Sequence, residues 1–594
     1  MTTDAQTRPR ELYAHRPGRA AGGLVFRVGY ADETLPTSGT TALVVALALR
    51  AVERPGLEVA ASVGPVVTEV RVSGSEDRVR ATLRDLSRAL ADLPVRHRET
   101  ETRALRERAA DGGALPPWRH GFQGYGLGPG EYTGLYRTTD EHLRAWARER
   151  FAGSNAVAWF TGETAPDLDL PLPDAVGAAA LPPPPPVHGP KQPLPADAPA
   201  GGTKVLWDAL VPDVPAAVVL AEVARRALFK NLRHDRGWTY DVSTSVGVLD
   251  GERATFQIAA GLRAETAAAA TGEFLDTWGR LRYAVGADEL EAARAHLLVT
   301  FDEPHQEAAW LPDDAVRTLL GRPVPTPAER RAAIAAVTAA DVTSLAHQAW
   351  DSGLLVAPVG QGWAGTSLVT RGAGEPVTGR AFERIDADAT VVVGDAGATL
   401  RDGRTRTTVR FDETAVLLAH PDGGRLLVGL DGAQIPFEPT LHDDLDGPQV
   451  AELVDRHVPD ELTVHVPREA APERPDKDQI NRAGRARADR EVEEDGILRT
   501  AGAAVAGTGR AALELGKLVV TLALILVLLA AFGGTFLSGV ILLGEVGGWL
   551  DGDGSWPKLA MTAAAGLVSA GVTWLSYRAI LRLGGNDKGD PKNG

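Results

Sequence analysis

The chain has 594 residues, several times the length of a typical domain, so its length predicts several folded modules rather than one. Its hydrophobic and charged fractions, 44% and 24%, are typical of globular proteins and exclude disorder throughout the chain. The absence of cysteine excludes disulfides, thiolate metal sites and a cysteine nucleophile. A net charge of −16 argues against nucleic acid as a partner, because binding phosphates requires a basic surface.

The first 180 residues alternate between helical and extended patterns. Apolar residues at three- and four-residue spacing predict helices over residues 39–53, 75–93 and 97–111. Alternating patterns predict strands over residues 23–30, 66–72 and 156–161. Residues 1–180 are therefore predicted to form a first α+β repeat.

A proline run within residues 181–202 predicts an extended linker, and a second repeat follows over residues 203–362. The pattern predicts helices over residues 216–233 and 264–283 and strands over residues 204–210 and 254–260. The triplet Ser-Val-Gly occurs in an extended pattern before a helix in both halves. Thr139 and Thr338 precede similar helices, and Thr338 with Asp341 predicts a capping box. These parallels predict two tandem repeats.

The sequence pattern changes after the second repeat. Residues 376–460 contain short extended patterns separated by Asp-Gly pairs, which predicts a small all-β module closed by a helix around residues 449–457. Residues 467–495 are rich in both signs of charge, and residues 461–512 are interpreted as an exposed linker or a solvated helix.

The C-terminal region carries two long apolar runs. Residues 518–543 form an uncharged run of about 26 residues, longer than the ~20 that a helix needs to cross a bilayer. A second run covers residues 559–581. We expect a transmembrane hairpin over residues 513–583 and a short tail over residues 584–594.

The charges around these runs indicate the orientation of the chain. Basic residues such as Arg510, Lys517 and Arg582 flank the outer ends of both runs, and the positive-inside rule then places both termini in the cytoplasm. Residues 1–20 show no apolar stretch of the kind found in signal peptides. We expect a cell-membrane protein with two spans and with most of the chain on the cytoplasmic side.

One segment of the second repeat resembles a known family. Residues 228–247 read LFKNLRHDRGWTYDVSTSVG, which is similar to the carboxy-side domain of the insulinase (pitrilysin) zinc peptidases. The resemblance covers about residues 22–360 and implies two tandem insulinase-like α/β-sandwich repeats. In that family, an arginine and a tyrosine at this spacing hold the substrate backbone. The resemblance therefore assigns substrate binding to Arg233 and Tyr240.

The catalytic motif of that family is missing. The resemblance places an inverted H-x-x-E-H motif on a helix of the first repeat, where two histidines bind zinc and the glutamate activates water. Here Ala42 and Ala46 stand at the histidine positions and Val45 at the glutamate position. Methyl groups neither bind zinc nor accept protons, so no catalytic residue, metal or other cofactor is expected. Glu107, near the expected third ligand, is interpreted as a solvated helix residue.

No other part of the sequence supplies a replacement motif. The 13 histidines include no pair at i, i+4, and His234, His305 and His347 are interpreted as surface or capping residues. The nucleophile elbow G-x-S-x-G and the phosphate-binding P-loop are also absent from the sequence.

Three functional interpretations remain at this point. The favoured one is a membrane-anchored, catalytically inactive insulinase-family homologue that binds a peptide or protein partner between its two repeats. The second is a metallopeptidase that works through unusual ligands or in a heteromer with an intact, zinc-bearing family member. The third gives the main role to the β-module, which resembles pleckstrin-homology-like domains. Its arginines, Arg401, Arg404, Arg406 and Arg410, would then bind lipid head groups.

Overall fold

The computed structural model describes residues 8–52, 56–109, 115–128, 132–174, 196–199, 203–250, 252–358, 363, 365–403, 405–483 and 485. The chain divides into two units, Met1–Gly484 and Arg485–Gly594, and the elements described below belong to the first. The predicted transmembrane hairpin and tail lie outside the described residues, as do Arg404 and most of the predicted proline-rich linker. Among the helices of the described residues, none has both the length and the apolar character needed to cross a bilayer.

The first repeat is a five-stranded sheet with helices. Its strands are β1 (Arg10–His15), β2 (Ala20–Phe26), β3 (Glu58–Val63), β4 (Thr68–Gly74) and β5 (Ala156–Gly162). Its helices are α1 (Thr40–Arg50), α2 (Glu76–Ala91), α3 (Arg98–Ala109), α4 (Leu115–His120) and α5 (Asp140–Arg150). The strand order is β1-β5-β2-β4-β3. Helix α2 forms because Val79, Leu83, Leu86 and Leu90 recur at helical spacing and bury one face against the sheet.

The second repeat has the same plan. Its strands are β6 (Ala196–Pro199), β7 (Lys204–Pro212), β8 (Thr239–Val248), β9 (Arg253–Leu262), β10 (Leu354–Ala357) and β11 (Ser367–Leu368). Its helices are α6 (Pro215–Leu228), α7 (Ala267–Arg280), α8 (Ala287–Val299), α9 (Gln306–Leu319), α10 (Pro327–Ala336) and α11 (Ala339–Asp351). The order β6-β10-β7-β9-β8 repeats that of the first sheet strand for strand, and β11 adds one strand beside β6.

Each repeat packs one of its helices against the sheet of the other repeat. Helix α9 of the second repeat packs Leu311 and Ala315 on the face of the first sheet that carries Val25 and Trp159. Helix α4 of the first repeat places Trp118 against β7 and β10 of the second sheet. Strand β5 is buried at every residue because helices cover both faces of its sheet. The repeats are therefore interlocked rather than joined by a hinge.

A small β-unit follows the second repeat. Its strands are β12 (Arg380–Glu383), β13 (Ala389–Gly394), β14 (Gly397–Asp402), β15 (Thr405–Arg410), β16 (Thr414–Ala419), β17 (Arg425–Gly429), β18 (Gln434–Phe437) and β19 (Thr463–His465), and its helix is α12 (Gly447–Leu453). They form two four-stranded sheets, β12-β13-β14-β15 and β18-β17-β16-β19, around a shared apolar core. The likeness to pleckstrin-homology domains stays a prediction.

The β-unit is packed against the first repeat. Val416 and Val464 of its second sheet contact Leu35 and Tyr136. Arg137 donates a hydrogen bond of 2.6 Å to the carbonyl oxygen of Glu461. This docking surface lies on the loops that precede α1 and α5.

The mixed α+β fold class is confirmed, and several boundaries differ from the sequence expectation. Strand β6 lies inside the predicted linker, where parallel pairing with β10 gives the second sheet the counterpart of β1. Strand β19 lies inside the predicted charged linker and pairs with β16. Helix α6 ends at Leu228 and continues as a π-helical turn, Phe229–Asp235. Thr338 and Asp341 form the expected capping box.

Candidate functional site

Helix α1 places the family's zinc-ligand positions in an apolar core. Ala42 and Val45 are buried and Ala46 is half-buried among the side chains that join α1 to the first sheet. None of the three offers a lone pair to a metal. In the part of the chain that the structure describes, no group of three or more His, Asp or Glu side chains is arranged to hold a metal ion.

The space beside Ala42 is nearly filled. The cavity there has a volume of about 10 Å³, roughly that of one water molecule, and Ala42, Gly39 and Tyr132 line it. Tyr132 adopts a left-handed conformation with φ 42°, and its ring covers Gly39 so closely that a Cβ at position 39 would lie 2.8 Å from its Cδ1. Tyr132 thereby covers the N-terminal end of α1.

A buried carboxylate occupies the start of the same helix. Glu33 accepts hydrogen bonds from the backbone N–H groups of Gly39 at 2.8 Å and Thr41 at 2.7 Å. These bonds satisfy two of the N–H groups that the first turn of a helix leaves without partners. Burial raises the pKa of Glu33 to about 7, although the N–H bonds oppose the shift. This carboxylate is a helix cap that titrates near neutral pH.

The remaining metal candidates from the sequence are dispersed. Glu107 is exposed on α3. His234, His305 and His347 each contact a different aromatic ring, those of Phe229, His15 and Tyr283, at centroid distances of 5.9, 5.8 and 5.9 Å. The structure does not bring these side chains together.

Arg233 and Tyr240 do lie together, on two irregular pieces of backbone. Arg233 is in the π-helical turn after α6, and Tyr240 is beside a β-bulge at the start of β8. Both irregularities are frequent at functional sites, because they change where side chains point. The Arg233 guanidinium lies 5.8 Å from the centroid of the Tyr240 ring, within cation–π range. Tyr240 is 66% exposed, so the pair faces solvent.

A third residue that sequence reasoning missed joins them. Arg263 follows β9, and its guanidinium lies 5.2 Å from the same Tyr240 centroid. It reaches Tyr240 because β9 pairs with β8 in antiparallel register, with Leu262 opposite Thr239. The sequence alone does not connect residues 240 and 263, because their proximity depends on the antiparallel register of β8 with β9. Glu33 was missed for a similar reason, because its role depends on a loop that folds back onto α1.

Tyr240 lies at the other end of β8 from the junction of the repeats. Val248 follows Tyr240 by eight positions along the strand, which corresponds to about 26 Å at ~3.3 Å per residue. Val248 lines a pocket at the junction of the repeats together with Tyr30, and Tyr30 also borders the cavity beside Ala42. Tyr240 therefore lies at the end of β8 opposite to the end that lines the junction pocket.

The junction itself offers little space. Its pocket has a volume of about 180 Å³, below the ~300–1,000 Å³ of typical ligand sites. The buried Arg119 and Asp208 side chains form an ion pair there at 2.6 Å. Burial raises the pKa values of Tyr30 and Tyr125 to about 12, so both phenols stay neutral. The expected binding of a peptide between the repeats stays a prediction.

The surface beside Tyr240 is better suited to an extended ligand. In the described residues, β8 is the edge strand of the second sheet and extends over ten residues. Tyr240, Ser243, Ser245 and Gly247 are exposed along it. An edge strand presents unpaired backbone groups that another extended chain can join.

Comparison with known proteins gives a family match over a segment that includes Arg233 and Tyr240. Residues 137–297 match the family described as "Peptidase M16 inactive domain". The fold is similar to a peptidase M16 inactive domain from Pseudomonas fluorescens, at 15% identity and a TM-score of 0.49, over 59% of this chain and 96% of that one. It is similar to a protease from Helicobacter pylori, at 13% identity and a TM-score of 0.49, over 58% and 95%. A chain of Complex III2 from Candida albicans matches at 15% identity and a TM-score of 0.48, over 58% and 92%. No curated protein matches the chain.

Proposed function

We propose that this chain, an insulinase-family homologue carrying an M16 inactive domain, is a membrane-anchored binding protein without peptidase activity. It holds an extended peptide or partner segment along β8 instead of cleaving it. The observation that carries the proposal is the exposed pair Arg233 and Tyr240 at the start of β8, which is the edge strand of the second sheet in the described residues. Helix α1 supports the loss of catalysis, because Ala42 lies beside a cavity of only about 10 Å³.

The chemistry of β8 and of α1 explains why the chain is proposed to bind a peptide and not to cleave it. Binding by strand addition needs backbone N–H and C=O groups and a few side chains that fix the register. Strand β8 supplies the backbone edge, and Tyr240 and Arg233 supply a hydroxyl and a planar donor at one end of it. Hydrolysis would need an activated water, and α1 supplies neither a metal ligand nor a base for it.

Selection from a random nonapeptide library displayed on phage tests the binding role. We expect the full chain in detergent to enrich a family of peptides, and the Tyr240→Ala and Arg233→Ala variants to lose that enrichment. Tyr283→Ala is the matched control, since Tyr283 is 72% exposed in the same repeat but contacts His347 instead of β8. Enrichment that is equal on wild type and Tyr240→Ala would contradict the proposal.

The separation of about 26 Å between Tyr240 and the far end of β8 favours one alternative. In it, Arg233 and Tyr240 act on a peptide held at the zinc site of an intact family member, so this chain is the substrate-binding subunit of a heteromer. Mixing the chain with an H-x-x-E-H-bearing peptidase encoded beside it tests this role. Chelator-sensitive cleavage that rises in the mixture and falls with Tyr240→Ala would favour the heteromer over the stand-alone binder.

The membrane anchor is proposed from the sequence alone. The two apolar runs within residues 513–583 carry that part of the proposal. We expect the full chain to stay in the membrane fraction after alkaline extraction, and a chain lacking residues 513–583 to be released. Release of the full chain would contradict the anchor while leaving the binding role untouched.

A further inference from the structure

Two guanidinium groups lie near the ring of Tyr240. The guanidinium groups of Arg233 and Arg263 lie 5.8 and 5.2 Å from the centroid of its ring. Arg233 comes from the π-helical turn and Arg263 from the end of β9, so two separate elements place positive charge on one side chain. The backbone N–H of Arg263 donates to the carbonyl oxygen of Trp238 at 3.2 Å, which fixes its position beside β8.

Neither of these arginines is neutralised. Within the described residues, no carboxylate lies at ion-pair distance from Arg233 or Arg263. The neighbouring Arg236 differs, because it pairs with Glu273 at 3.3 Å and lies over the ring of Trp238. In Asp241, the acid next in sequence to Tyr240, Oδ1 lies 2.9 Å from the position that a Cβ on Gly261 would occupy.

Two positive charges near one exposed ring favour a bound anion, whose negative charge offsets their mutual repulsion. The planar fork of a guanidinium matches a carboxylate with two parallel hydrogen bonds. The Tyr240 hydroxyl adds a donor, and β8 adds backbone groups for the chain that follows.

We propose that Arg263 is a specificity-determining residue that, with Arg233, binds a carboxylate of the peptide that lies along β8. This inference rests on the proposed function and names the class of ligand, a peptide that carries a carboxylate at the end next to Tyr240. The carboxylate is that of a chain terminus or of an acidic side chain, and both present the same two oxygens.

Four fluorescein-labelled probes distinguish these sources. All have the sequence Lys-Thr-Val-Ser-Val-X, in which X is Glu or Gln, each with a free or an amidated C-terminus. Fluorescence anisotropy with the full chain in detergent gives the Kd of each probe for wild type, Arg263→Gln and Arg236→Gln. Arg236 is the matched control, because it is a neighbouring arginine that already has a carboxylate partner.

We expect the probes with a carboxylate to bind at least about tenfold more tightly than the amidated Gln probe. Arg263→Gln removes most of that difference and leaves the affinity for the amidated Gln probe unchanged, whereas Arg236→Gln changes none of the four affinities. Preference for a free C-terminus, or for Glu in either form, identifies the source of the carboxylate, and each result supports the proposal.

Two results would overturn the inference. If wild type binds all four probes equally, or if Arg263→Gln weakens all four to the same extent, Arg263 does not read a carboxylate. Equal binding that Tyr240→Ala still abolishes would leave the proposed function intact and reject only this inference. Failure of wild type to bind any of the four probes would reject the inference and the edge-strand binding mode together.

Discussion

The two repeats share one strand order, yet their surfaces have opposite characters. In the first repeat, α1 is lined with methyl groups and closed by Tyr132, which leaves a cavity of about 10 Å³ beside Ala42. In the second repeat, the helix in the same position runs into a π-helical turn that exposes Arg233 beside Tyr240. One topology therefore supports a sealed core in one copy and an exposed arginine–tyrosine cluster in the other.

The difference comes from a few local features rather than from the sheets. A regular end to α6 and a regular start to β8 would leave the second repeat without its exposed cluster, since the π-helical turn and the β-bulge place Arg233 and Tyr240. In the first repeat, Glu33 and Tyr132 fold over the start of α1 instead.

Restoring the zinc motif should fail in the first repeat. We expect the triple change Ala42→His, Val45→Glu and Ala46→His to lower the free energy of unfolding by about 5 kcal/mol or more, because it buries polar and charged groups without partners. Chemical denaturation and metal analysis of the purified full chain check this. Val299→Glu, at a position 60% exposed, is the control and should have little effect. Stoichiometric zinc with unchanged stability would show that the site is open.

Breaking the junction should affect both repeats. Arg119→Ala leaves Asp208 buried without its guanidinium partner, and we expect a loss of about 3–5 kcal/mol. Thermal unfolding of the full chain measures it. Arg236→Ala removes a more exposed pair and should cost less than about 1 kcal/mol. Equal effects of the two changes would mean that the repeats do not depend on this ion pair.

Glu33 should make the stability of the first repeat pH-dependent. Its pKa rises from 4.5 in the unfolded chain to about 7 in the folded one, so the folded state holds the proton more tightly. The contribution of Glu33 to stability is therefore fully present below pH 4.5 and is lost as pH rises through about 7, by about 3 kcal/mol in total.

The variant Glu33→Gln isolates this effect, because it cannot ionise. The difference in free energy of unfolding between wild type and variant should change by about 3 kcal/mol between pH 4.5 and 7 and stay flat above that range. Denaturation curves at four pH values provide the measurement. Parallel pH profiles for the two proteins would show that the carboxylate does not titrate there.

The exposed cluster of the second repeat should contribute almost nothing to stability. Tyr240→Ala removes a ring that is 66% exposed, and we expect the free energy of unfolding to change by less than about 0.5 kcal/mol. Calorimetry of the full chain checks this value. A loss of several kcal/mol would mean that the cluster is structural rather than a recognition surface.

Much of the fold follows from local patterns in the sequence. Apolar spacing located α1, α2 and α7, and the Thr338 and Asp341 pair marked the start of α11. Short elements were missed, such as β6 and β19, because four or three residues carry no periodicity and form only through pairing with β10 and β16. The exchange of α4 and α9 depends on contacts across hundreds of residues and has no local signal.

The candidate site was likewise only partly predictable from the sequence. Arg233 and Tyr240 lie seven residues apart, so their motif was visible in the sequence. Arg263 and Glu33 act through a strand register and a folded loop, which only the three-dimensional arrangement reveals. The loss of the zinc motif was predictable from the sequence alone, because alanine and valine side chains carry no metal-binding atom in any structural context.

The most direct test of the central claim is one anisotropy titration of the Glu-bearing probe against the full chain, with and without excess EDTA, followed by mass spectrometry of the probe. We expect the same Kd in both conditions and an intact peptide, since binding by the second repeat requires no metal. Loss of binding in EDTA, or chelator-sensitive cleavage of the probe by this chain alone, would contradict a metal-free binding protein.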